Sequence, residues 1–443
     1  MSRVLRLELR RSAAAGVALI LALVGAAMLY AATQRWAPGW MALAVVQREY
    51  TVLLWPLTLA AGAWQGRRDH RSKVDELFGT TPRPYAQRML PIAGAMGLAV
   101  AFAYVVGTAA AAPWIADTAT RLPLAFFVTV AVGALSLAGA AWVGLAVGRL
   151  APTAATAPAL AVAGFALIMF GPFAVGDRDW LAMVFSPTWG MNLYYDYQTI
   201  ADRVSGAQAV WFAALGLAGV LLLVARSRWS RTAALLPVVL GATAAIAIMP
   251  HDDEVLTPID PVAQAQVCTR DAPRVCVSRV HEAVLPEVAP RARQALEMLS
   301  KLPGAPVGAQ EDTTTYGPDT SPPRRADLLL LTIRIDAEGG LAHRDVLLPE
   351  AVGAAFQPLA DCDNRGYRTP VARAAAFYLM GTAPLSAEKT NPETISEDPE
   401  TNVEAVALWQ GLRRLPAQEA LARVAKVRRA ALDCGELEGL LSR

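Results

Sequence analysis

The sequence predicts a polytopic α-helical membrane protein with about seven transmembrane helices, followed by an α+β, mostly helical soluble domain. Three observations carry this. The chain is 54% hydrophobic and 18% charged, against about 25% charged in ordinary soluble domains. Apolar runs long enough to span a bilayer crowd the first 249 residues. Charge divides at the same place. Residues 1–249 hold 19 Lys/Arg against 10 Asp/Glu, a balance of +9, and residues 250–443 hold 21 against 28, a balance of −7. The basic charge sits between apolar runs, which membrane topology explains and nucleic-acid binding does not. The expected organisation is a membrane domain over 1–249, a Pro- and Asp-rich linker over 250–266 and an extracytoplasmic domain over 267–443.

The first residues alternate Arg3, Arg6, Arg10 and Arg11 with Val4, Leu5, Leu7 and Leu9, the pattern of an amphipathic helix lying on a membrane surface. No small-residue cleavage site closes the apolar run that follows, so a retained segment is expected rather than a cleaved signal. Spans are expected at 13–32, 50–66, 91–116, 122–148, 152–173, 207–225 and 232–249. With the N-terminus in the cytoplasm, the inner loops carry fourteen Lys/Arg and the outer loops five: Arg35, Arg48, Arg121, Arg178 and Arg203. That is the positive-inside asymmetry. Seven spans then place residues 250–443 outside, and a bacterial plasma membrane is the expected location, with membrane lipid as a partner.

The seven stretches contain no ionisable residue in their cores, which argues against an ion-coupled carrier or proton pump. The ladder Ala140, Gly144, Gly148 offers a surface for close helix approach. The chain has no G-x-x-x-x-G-K-[ST] phosphate loop, so ATP-driven work would need an ATPase on another chain.

The inner loop after the second span holds Arg67 and Arg68, then Asp75, Glu76 and Leu77, then Thr80, Thr81, Pro82 and Arg83. A positive flank explains the arginines but not an acidic pair, an apolar pair and a Thr-Thr-Pro stop. This segment resembles the loop after the second span in permease subunits of ABC-2 type (exporter-type) transporters. The resemblance covers about residues 1–230. It implies a coupling helix that docks on a separate ABC ATPase, a homodimer or heterodimer of permease chains, and an interfacial N-terminal helix. The family usually ends after a sixth span, so the seventh span and outer domain are additions.

In the second half, helices are expected at 285–302, 369–380, 403–415 and 417–432, and a strand at 328–335 with Val346–Leu348 as hairpin partner. Residues 303–325 read as loop. All four cysteines lie here: Cys268, Cys276, Cys362 and Cys434. An even count in an outward domain implies two disulfides. The turn Asp271-Ala272-Pro273 suits a Cys268–Cys276 bridge, leaving Cys362 for Cys434. No catalytic constellation, cofactor site or metal site is found. His281-Glu282 lacks the second histidine of a zinc helix, and His251, His281 and His343 read as satisfied surface residues. Asp361, Asp363 and Asn364 read as turn residues. The expected function is a permease subunit, not an enzyme. The competing expectation is a membrane-anchored outer domain that binds a ligand or partner above a non-transporting bundle.

Overall fold

The structure, a computed structural model, describes residues 13–72, 85–176, 178–188, 193–252, 255–314, 326–358, 369–384 and 399–442. It divides into two compact units, Met1–Asp260 and Pro261–Arg443.

The first unit is helical. Its principal helices are α1 (Ala14–Tyr30), α2 (Trp40–Glu49), α3 (Thr51–Gly66), α4 (Tyr85–Ile115), α5 (Leu124–Leu150), α6 (Thr156–Phe170), α7 (Asp179–Phe185), α8 (Asp202–Val224) and α9 (Leu236–Ile248). Among the described residues, four stretches are long and apolar enough to cross a membrane: Tyr85–Ile115, Leu124–Leu150, Asp202–Val224 and Arg228–Ile248. This is fewer than the seven expected. The first, second and fifth expected spans form helices of 17, 16 and 15 residues. Proline and glycine explain part of this shortening. Pro152 precedes α6, and Gly171-Pro172 follow it, turning the chain into a 3-10 segment. The second stretch instead continues backwards: α2 runs to Glu49, and only Tyr50 separates it from α3. Apolar side chains such as Leu23, Phe102, Leu124, Phe170 and Leu240 face outward, so these helices are apolar on every side rather than on one stripe.

α5 is the central helix and packs against α3, α4 and α8. Its contact with α3 is backbone on backbone. A Cβ at Gly144 would strike the Leu59 carbonyl, and one at Gly148 would strike the Ala63 carbonyl. In return, Cβ atoms at Gly62 and Gly66 would strike the Ala141 and Leu145 carbonyls. The small-residue ladder therefore faces a second one, Gly62-x-x-x-Gly66. On another side of α5, Trp142 fills the space left by Gly97 of α4 and Gly216 of α8 and donates from Nε1 to the Ala93 carbonyl at 2.8 Å.

The second unit is α+β. Strands β1 (Gln266–Cys268), β2 (Val275–Ser278), β3 (Gly308–Glu311) and β4 (Leu328–Leu331) form a sheet in the order β1-β2-β3-β4. β1 and β2 are antiparallel, and the other two pairs are parallel. A parallel neighbour needs a crossover, and α10 (Leu285–Leu299) supplies it between β2 and β3. Val288, Ala292, Ala295, Leu296 and Leu299 of α10 are buried in the core. The helices α11 (Leu347–Ala354), α12 (Thr369–Met380), α13 (Pro399–Arg413) and α14 (Ala417–Leu432) complete the unit.

Two expectations are corrected here. Val346–Leu348 is not a hairpin partner of β4: Leu347 begins α11, and β4 pairs with β3 instead. β3 lies inside 303–325, which reads as loop because Gly308-Ala-Gln-Glu311 lacks β-branched and aromatic residues. The turn at Glu338-Gly339-Gly340 does form, but it closes only an Ile335–Leu341 bridge.

Candidate functional site

Three loops expected on the inner side meet at one end of the first unit. α3 ends at Gly66, and Arg68–Arg71 add a single helical turn. Arg67 donates from Nη1 to the Thr153 carbonyl at 2.8 Å, across to the α5–α6 connection. Asp69 pairs with Arg149, the penultimate residue of α5, at 3.2 Å. Tyr85 opens α4, and its ring lies beneath the guanidinium groups of Arg88, Arg149 and Arg226. Trp64 carries Arg67 and Arg71 in the same way, at 5.1 and 4.7 Å. Cation–π contact, together with the Asp69–Arg149 pair, holds these basic groups close together. Both ends of the segment that follows Ser72 are therefore fixed within one basic surface.

Of the residues expected to form the coupling loop, Arg67 and Arg68 are in this surface. Asp75, Glu76, Leu77, Thr80, Thr81, Pro82 and Arg83 lie outside the described residues.

The opposite end gathers the loops expected outside. Tyr30 donates to the Ala110 carbonyl at 2.6 Å and Trp40 to that of Ala119 at 2.9 Å. Arg121 pairs with Asp260 at 2.6 Å. Arg35 pairs with Glu49, whose carboxylate raises the Arg35 guanidinium above its usual pKa.

A polar layer lies just inside that end. The sequence places Arg48 in an outer loop, ahead of the span expected at 50–66. Instead, Arg48 lies in α2 and is fully buried. Its Nε donates to the Pro187 carbonyl at 3.0 Å and its Nη2 to Gln208 Oε1 at 3.0 Å. Gln208 is itself held by the Met183 carbonyl at 2.8 Å. Gln47 donates to the Tyr104 carbonyl at 2.8 Å, and Thr108 donates to Gln47. The available signal was Gln47-Arg48, two strong polar residues beside an apolar run that is too short to span alone.

In the second unit, Cys268 and Cys276 are opposite one another on β1 and β2 and are disulfide-bonded. Cys434 is also disulfide-bonded, and Cys362, the partner expected for it, lies outside the described residues, as do Asp361, Asp363 and Asn364. His281 is a correction: it is buried at 3% exposure, not on the surface. Its Nδ1 lies 2.7 Å from Glu311 Oε1, and a carboxylate can only accept, so Nδ1 carries the proton. Glu311 Oε2 accepts from the Ser278 backbone at 2.6 Å. The arrangement ties β2, β3 and the turn after β2 together. Arg428 of α14 donates to the carbonyls of Pro303, Gly304 and Ala326, and burial lowers its pKa. Among the described residues, no three His, Cys, Asp or Glu side chains converge as metal ligands. No family model, curated protein or solved structure matches this chain.

Proposed function

We propose that the chain is the membrane-spanning permease subunit of an ABC-2 type exporter, paired with a second permease chain and driven by a separate ATPase. One observation carries the reading. The flanks of residues 73–84 are held with the α5–α6 connection and Arg226 in a single basic surface. The sequence between those flanks carries the Asp75-Glu76-Leu77 and Thr80-Thr81-Pro82 pattern expected of a docking element. Membrane placement is supported by the four long apolar helices. Placement of the second unit outside a bacterial plasma membrane is supported by the Cys268–Cys276 disulfide, since such bonds persist in oxidising compartments.

The test is affinity purification of the full chain from its native membrane in mild detergent. An ABC ATPase should co-purify, and the double substitution Glu76→Ala, Leu77→Ala should remove most of it while leaving the thermal unfolding of the permease unchanged. Undiminished recovery of the ATPase with the double variant would overturn the docking role. Absence of any ATPase from the wild-type eluate would favour the anchored binding protein, whose second unit has its own hydrophobic core.

A further inference from the structure

From Arg203 to His251 the sequence holds four arginines, Arg203, Arg226, Arg228 and Arg231, and no Asp or Glu. The last three fall in an elbow between two apolar helices. α8 ends at Val224, Arg228–Ala233 form a short helix, and α9 begins at Leu236. Ser227 and Ser230 fix the shape of the elbow: the backbone N–H of each donates to the other's hydroxyl at 3.0 Å. An open cleft of about 480 Å³ lies in the elbow.

The cleft combines two chemistries. Leu221 and Val224 of α8, with Ala233, give it apolar walls, and Arg226, Ser227 and Ser230 supply its polar lining. Arg226 is held over the Tyr85 ring, 5.5 Å from its centroid. Arg231 is exposed; it stands four positions after Ser227 and three before Ala234, so it borders the lining face. None of the ion pairs among the described residues uses Arg226, Arg228 or Arg231. The Asp69 carboxylate, at the same end of the unit, is already paired with Arg149. Between the arginines, Trp229 is 87% exposed. An indole held outward beside basic residues is favoured where a bilayer meets water.

We propose that this cleft seats one acidic phospholipid from the leaflet at the basic end. Arg226 and Arg231 hold its headgroup phosphate, and an acyl chain follows Leu221, Val224 and Ala233. The occupant follows from the lining. Guanidinium groups without carboxylates suit a phosphate, and apolar walls suit hydrocarbon. The cleft lies where the apolar run of α8 stops, the level at which lipid headgroups begin. Free phosphate would leave the apolar walls wet. The chain's own first twelve residues, with four arginines and one Glu, carry the wrong charge. The proposal rests on the membrane placement of the first unit and not on the coupling role.

The rival is diffuse attraction between a basic flank and an anionic surface, which counts charges and has no need of a cleft. Native mass spectrometry of the full-length protein in mild detergent separates the two. The protein is titrated with dioleoylphosphatidylglycerol and, in a second series, with dioleoylphosphatidylcholine. The wild type should take up one phosphatidylglycerol saturably, and phosphatidylcholine about tenfold more weakly. Ala233→Phe fills the cleft from an exposed position without changing charge, and should weaken phosphatidylglycerol binding about tenfold. Arg226→Gln with Arg231→Gln should weaken it about thirtyfold. Arg203→Gln, at the far end of α8, should leave it unchanged. Equal binding of the two lipids would overturn the proposal, as would an Ala233→Phe titration superimposable on the wild type. Should the double arginine variant fail to fold, Ala233→Phe decides alone. Carbonate extraction of native membranes tests the membrane placement separately: release of the chain into the supernatant refutes that placement whatever the lipid titrations give.

Discussion

Single side chains do unequal work in this molecule, and the difference lies in how many buried partners each one serves. Glu311 serves two: the Ser278 backbone N–H and His281 Nδ1. Glu311→Ala strands both donors in the core of the second unit, at a cost of about 2–4 kcal/mol. Pulse proteolysis of the full chain should show this as faster cleavage within residues 261–443. Glu311→Gln keeps one acceptor and should lose less. Cleavage of Glu311→Ala at the wild-type rate would show that the pair is dispensable. The sequence could not reveal this pairing, because His281 and Glu311 are joined only by the β2–β3 neighbourhood and β3 has no strand signature. The burial of Arg48 is illegible in the sequence for a related reason. Its burial depends on α2 and α3 being almost continuous, and a reading by apolar runs stops at the first strong polar pair.

Helices in the first unit were legible because hydrophobicity alone marks them: α4, α5 and α8 lie close to their expected positions. In the second unit, α12 and α14 match their expected bounds, whereas the short strands have no composition of their own. Helix pairing was less legible, since many Ala and Gly positions offer the same small surface. Two glycines test the distinction. Gly144 touches the α3 backbone, and Gly206 of α8 has nothing near its absent Cβ. Gly144→Val should force α3 and α5 apart at a cost of about 1–3 kcal/mol. Gly206→Ala should stabilise by about 0.5–1 kcal/mol, by restricting the unfolded chain and favouring helix. Thermal unfolding in detergent measures both, and equal, small shifts for the two variants would refute the backbone contact.

At the scale of the whole molecule, the ends of the first unit separate the loops into two sets, as an antiparallel bundle requires. Single cysteine reporters are read against the labelling of the unsubstituted chain. Ser72→Cys, at the basic end, should react with a membrane-impermeant maleimide only after the cell envelope is permeabilised. Ser300→Cys, in the second unit, should react in intact spheroplasts. Labelling of both in spheroplasts would show that the orientation is wrong. The contact between α3 and α5 has a mechanical consequence. Two helices whose carbonyls occupy each other's Cβ positions cannot slide or roll past one another without collision. They behave as one strut. Any change of shape in this bundle must carry the strut intact and locate its joints at its rim: at Tyr50, where α2 meets α3, and at the turn from Leu150 to Thr156 that leads into α6.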